Sequence, residues 1–184
     1  GIRGMAGVKR GLTFGKGTDG SSVTDVAMYG YTDGIALWMT SGENVVQNAY
    51  VGMTDRGEAV ANRLGLVLSS ARAVNNLIGG TDFDENGPNQ FVANRAAGVF
   101  IVNGASGNRI YGNIIGDDSG TKPERANGDG VRIKNATGNF IGSASANTIV
   151  ANHESGVLVY RSNAGTMATA NRIENNLIRD NKGG

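Results

Sequence analysis

The chain is 184 residues long and 39% hydrophobic, with 30 glycines, two prolines and no cysteine. That much glycine beside so large an apolar fraction excludes a disordered linker and implies an ordered fold with many tight turns, while the missing cysteine excludes disulfides and thiolate metal sites. Seventeen basic against 16 acidic residues leave a net charge of +1 with no basic stripe, so nucleic acid is not an expected partner, and no apolar run approaches the roughly 18 residues of a membrane span.

Taken in chain order, the predicted elements repeat. Large or β-branched apolar residues recur at Phe14, Val46, Ile78, Ile110, Ile141 and Ile173, with spacings of 32, 32, 32, 31 and 32. An asparagine stands two residues before most of them, at Asn44, Asn76, Asn108, Asn139 and Asn171. A second phrase, glycine followed by alternating apolar residues, begins at Gly34, Gly65, Gly98, Gly130 and Gly156. Period-two alternation over four or five residues predicts a short strand, so each period holds at least two strands. The periods alternate in kind. Near residues 76 and 139 the long loop follows the first strand; near 44 and 108 two strands follow closely and the long loop comes after them. The superperiod is about 63 residues.

A repeat this short cannot bury its own apolar face, so successive periods must stack, with equivalent strands pairing in parallel at about 4.8 Å. The expected fold is all-β, a right-handed parallel β-helix, or β-solenoid, of about 5–6 coils of ~32 residues forming a single domain over residues 1–184. Inward asparagines at fixed positions predict hydrogen-bonded ladders between coils. A leucine-rich repeat is disfavoured, because no helical segment or leucine-dominated consensus is present. The last period stops at Asn181-Lys182-Gly183-Gly184 before its glycine-led strand, so the final coil is expected to be incomplete and the chain to belong to a longer protein or to a covered end.

The phrases Asn76-Leu77-Ile78-Gly79-Gly80-Thr81, Asn108-Arg109-Ile110-Tyr111-Gly112-Asn113 and Asn127-Gly128-Asp129-Gly130-Val131-Arg132-Ile133 resemble the alternating repeats of bacterial secreted and surface proteins in the pectate-lyase-like β-helix superfamily. The resemblance covers nearly the whole chain and is weakest over residues 1–30. It implies the fold and a secreted, cell-surface or virion setting. It leaves activity open, because such repeats serve lyases, hydrolases, adhesins and phage tailspikes alike.

Period-two logic points two columns of the glycine-led strands outward, Ala36-Val67-Phe100-Arg132-Leu158 and Trp38-Ser69-Val102-Lys134-Tyr160. An apolar stripe in that position has three readings. It is covered by a loop, it is an oligomer seam for self-association, or it is a polysaccharide groove in which Trp38, Phe100 and Tyr160 contact sugar rings while Arg132 and Lys134 meet carboxylates. The catalytic candidates are Asp55 and Asp118, in equivalent loops two coils apart, with Arg132. Partial echoes of polygalacturonase motifs at Tyr31-Thr32-Asp33-Gly34, Asp117-Asp118 and Arg132-Ile133-Lys134 lack that family's G-H-G. Asp82-Phe83-Asp84-Glu85-Asn86-Gly87 matches the start of a calcium loop, so Asp82, Asp84 and Asn86 are the candidate Ca²⁺ ligands, although Ala93 stands where that loop places its bidentate glutamate. His153 follows Asn152 in a turn and predicts a solvated corner. A structural or binding module is thus expected, with a lyase or hydrolase of acidic polysaccharide as the alternative.

Overall fold

The computed structural model describes residues 1–5, 7–80, 87–162 and 167–183. Its strands run in chain order as β1 (Ile2–Arg3), β2 (Arg10–Phe14), β3 (Ser22–Tyr29), β4 (Ile35–Met39), β5 (Val45–Val51), β6 (Asn62–Ser69), β7 (Leu77–Gly79), β8 (Gln90–Phe91) and β9 (Asn94–Val102). They continue as β10 (Arg109–Tyr111), β11 (Ile114–Gly116), β12 (Asp129–Lys134), β13 (Phe140–Gly142), β14 (Thr148–Val150), β15 (Val157–Tyr160), β16 (Arg172–Glu174) and β17 (Leu177–Arg179). A single 3₁₀ turn, Pro123–Arg125, is the one helical element among the described residues, and no helix there is long and apolar enough to cross a membrane.

Every pairing between these strands is parallel, and the protein is an all-β parallel β-helix. One sheet has six strands in the order β15-β12-β9-β6-β4-β2, and the other has eleven and is bent at β5. Val45 and Val46 of β5 pair with Leu77 and Ile78, whereas Tyr50 and Val51 pair with Gln90 and Phe91. From β5 onward the sheet therefore runs as two arms. The chain breaks the strand at this corner either with the long segment after β7 or with the tight Gly112-Asn113 step before β11.

The expected apolar column forms, with one correction. Val46, Ile78, Ile110, Ile141 and Ile173 stack in register, but the partner of Val46 on the preceding coil is Val23, and Phe14 pairs with Met39 in the other sheet. Only 23 residues separate Val23 from Val46. The first coil lacks a long loop, so counting back 32 residues overshoots into the neighbouring strand. A second column, Met28-Val51-Phe91-Ile115-Ile149, fills the core from the other arm and ends on the exposed Ile178. Phe91, Ile78, Ile110 and Ile115 are fully buried, each stabilising by roughly 1.5–3 kcal/mol.

Three asparagine ladders line the corners. The expected one runs Asn44-Asn76-Asn108-Asn139-Asn171, each Nδ2 donating to the next Oδ1 at 2.8–3.0 Å. Two more run Asn89-Asn113-Asn147-Asn176 and Asn62-Asn94-Asn127-Asn152-Asn181, with the same polarity. A strand that turns a corner strands its backbone N–H and C=O groups inside the coil, and the amides meet both kinds. The corner glycines have a different cause. Gly116 has φ +107, and a Cβ there would lie 1.9 Å from the carbonyl oxygen of Val150, so only glycine lets the next coil approach.

Candidate functional site

The outer face of the six-stranded sheet is built by strands whose inward residues, Leu37, Leu66, Val99, Ile101, Val131 and Ile133, belong to the core. Their neighbours must face away. The register places Thr13, Trp38, Val67, Phe100, Arg132 and Leu158 in one outward column. A second holds Ser69, Val102, Lys134 and Tyr160.

This corrects the expected columns at their first coil. Trp38 stands beside Val67 and not Ser69, and Ala36 is packed into the main core. Gly34 and Gly65 are not equivalent: Ile35 pairs with Leu64, which puts Ala36 level with Gly65. Bringing Trp38 into the first column sets three ring-bearing or apolar rungs together, Trp38, Val67 and Phe100, about 4.8 Å apart along the solenoid axis.

The expectation of an exposed stripe also changes. None of the ten positions is exposed. Val67 is only 2% accessible, because Trp38 and Phe100 flank it and Ile35, Leu64, Ala97 and Val102 pack around it in a second apolar cluster. Outward side chains on adjacent rungs are close enough to shield one another. Wide aromatic rings do so for the smaller residues between them.

Cations sit over the rings. The Arg10 guanidinium lies 4.1 Å from the centre of Trp38, Arg132 lies 5.9 Å from Phe100, and Lys134 lies 5.7 Å from Tyr160. Arg132 is heavily committed. Its Nε donates to Asp129 Oδ2 at 2.6 Å and its Nη2 to the carbonyl of Ala96 at 3.1 Å, with Glu154 3.7 Å away. Asp129 is buried and also accepts from the N–H of Ser155, so it fixes the arginine across three coils. Arg10 and Lys134 have no carboxylate at ion-pair distance among the described residues. Arg10, Asp129 and Glu154 were not among the expected site residues. The short first coil hides Arg10, and the only signal for Asp129 is an acid three positions before an outward arginine.

The loop carrying Asp55 and the loop carrying Asp118 meet at another corner. Arg125 Nη2 donates to the carbonyl of Gly57 at 3.0 Å, spanning the intervening coil. Asp55 and Asp118 are both exposed, whereas neighbouring Asp117 is 2% accessible. Burial favours the neutral form of Asp117. That is outweighed by the Ser119 hydroxyl at 2.6 Å, the N–H groups of Lys122 at 2.6 Å and Ser119 at 3.2 Å, and the Arg125 charge, so its pKa lies below the ordinary aspartate value. His153 is exposed at its corner, as expected. Asp82, Asp84 and Asn86 lie outside the described residues, and elsewhere no cluster of three His, Asp or Glu residues is arranged to hold a metal.

Comparison with protein-family models, with curated proteins and with solved structures finds no match for this chain. Trp38 and Phe100 lie two coils apart on either side of Val67, and Arg10 and Lys134 edge this face without a carboxylate at ion-pair distance among the described residues.

Proposed function

We propose that the chain is a rigid β-solenoid binding module of a secreted, cell-surface or virion protein, related to the pectate-lyase-like superfamily, and that its outer sheet face binds acidic polysaccharide. The observation that carries this reading is the Trp38-Val67-Phe100 rung set with Arg10 over Trp38. Sugar rings lie against the aromatics, and carboxylates meet Arg10 and Lys134. Arg132 holds the lower end of the surface in place. Self-association along this face is the weaker reading, since no rung is exposed enough to leave a large apolar patch.

Trp38 is the only tryptophan, so tryptophan emission, excited selectively over the five tyrosines, reports on this face. Titration with polygalacturonate is expected to shift its emission saturably, with neutral dextran inert and added salt weakening the effect by screening. Arg10→Ala should weaken binding by about two- to fivefold, the scale of one exposed cation–ring contact. An emission unmoved by any acidic polysaccharide would sink the reading.

A second reading, cleavage of an acidic polysaccharide, is favoured by one observation: the Arg125–Gly57 contact gathers the Asp55 and Asp118 loops at one corner. New reducing ends or unsaturated products, abolished in Asp118→Ala, would establish it.

A further inference from the structure

A cleft of about 240 Å³ opens where the loop before β12 overhangs the next two turns of the solenoid. The loop supplies Asp117, Thr121 and Pro123, and the turns supply His153, Asp180 and Lys182. Glu154, next to His153, links this corner to the edge of the outer sheet face, and the loop also carries Asp118 of the second reading, but the polymer-binding reading uses none of the residues that line the cleft.

The repeat shows that the void is specified by sequence. One superperiod earlier, Gly52 holds the place of Gly116: both have positive φ, at +97 and +107, and both meet the backbone carbonyl of the next coil. The residue after each glycine faces the same kind of corner, where Ala93 and Ala151 share a left-handed conformation, with φ +53 and +52. After Gly52 comes Met53, which closes the space by packing on Val92 and Ala93. After Gly116 comes Asp117, whose carboxylate folds back onto Ser119 and Lys122. An apolar plug has been exchanged for an acid turned into its own loop, and a cleft remains.

Its lining selects a class of ligand. A volume somewhat below the roughly 300–1,000 Å³ of drug-sized pockets leaves room for one ring. Pro123, Ala126 and Ala151 give apolar ground for a C–H face. Thr121, His153 and Lys182 donate, and Asp180 accepts. Asp117 receives three hydrogen bonds, which leaves one of the roughly four acceptor positions of a carboxylate uncommitted. Both carboxylates are already engaged, Asp117 by Ser119, Lys122 and the Arg125 charge and Asp180 by Arg179, so Lys182 and the remaining carboxylate oxygens offer hydrogen bonds more than net charge, which suits hydroxyl groups that both donate and accept. We propose that this cleft binds a single neutral sugar ring, as a site separate from the outer face.

His153 is the only histidine and lines the cleft, as Trp38 is the only tryptophan and lies on the outer face. The two sites therefore have separate reporters. The whole chain, at constant pH, is titrated with glucose, galactose, mannose and N-acetylglucosamine, and with galacturonate as the acidic control, following the His153 ring resonances by NMR and Trp38 by fluorescence. At least one neutral sugar is expected to shift His153 saturably with a Kd on the order of 1 mM. Asp180→Asn keeps a residue at home in the left-handed conformation (φ +58) and replaces a charge-assisted hydrogen bond by a neutral one, while Thr121→Ala removes a hydroxyl; each should weaken binding about fivefold. The proposal is overturned if no neutral sugar moves His153 at about 50 mM, well above weak-site affinities. It is also overturned if only galacturonate does so, or if both variants bind unchanged. A response of Trp38 without His153 overturns this site and leaves the outer-face reading standing.

Discussion

Asn108 Oδ1 accepts two hydrogen bonds from Asn76 on the preceding coil, from its backbone N–H at 3.0 Å and from its Nδ2 at 2.8 Å. One side-chain oxygen thus satisfies two fully buried donors. Asn108→Ala strands both, and each buried unsatisfied donor costs about 1–3 kcal/mol. Thermal or denaturant unfolding is expected to show a loss on the order of 3 kcal/mol or more. A loss under about 1 kcal/mol would mean that the ladder does not hold the coils in register.

Arg132→Ala should destabilise the fold by about 3 kcal/mol, because it leaves the buried Asp129 carboxylate without its cation. Urea unfolding checks this directly. The double variant Arg132→Ala, Asp129→Asn should recover part of the loss, since the neutral amide has less to lose from burial.

Gly116→Ala and Gly120→Ala form a matched pair. Both glycines have positive φ, but a Cβ at Gly116 meets a backbone carbonyl at 1.9 Å, whereas nothing lies within 4 Å at Gly120. The second change should cost about 1–2 kcal/mol of backbone strain. The first should prevent the two coils from stacking at all, seen as loss of soluble folded protein or of the cooperative transition.

Asp117 contributes to acid stability. Its folded pKa is lowered from an unfolded value near 3.8, so the unfolded chain takes up the proton first. The contribution is fully present above the unfolded value and is lost as pH falls through the folded one. Unfolding midpoints measured from pH 6 downward should fall less steeply in Asp117→Asn than in the parent within that acid window. Equal slopes would show that Ser119, Lys122 and Arg125 do not favour the charged form.

Much of the fold was legible because solenoid stacking writes itself into spacing. Ile78, Ile110 and Ile141 must lie above one another, and a side chain at each level has a counterpart about 32 residues away. The expectation failed where spacing stopped being regular. Phe14 falls in the other sheet because the first coil is shorter, and Trp38 in the other column because Ile35 pairs with Leu64 and not with Leu66. The ladders through Asn89 and Asn62 were present in the sequence but fell between the phrases that carried the period.

The sequence alone thus determined the solenoid, its inward columns and the Asn44 ladder, because each is a local pattern repeated until chance is excluded. Only the tertiary structure decided that Trp38 shields Val67, that Asp129 holds Arg132, and that Asp117 leaves a cleft where Met53 closes one. Those relations join residues on different coils, through side-chain directions and loop paths that no periodicity encodes.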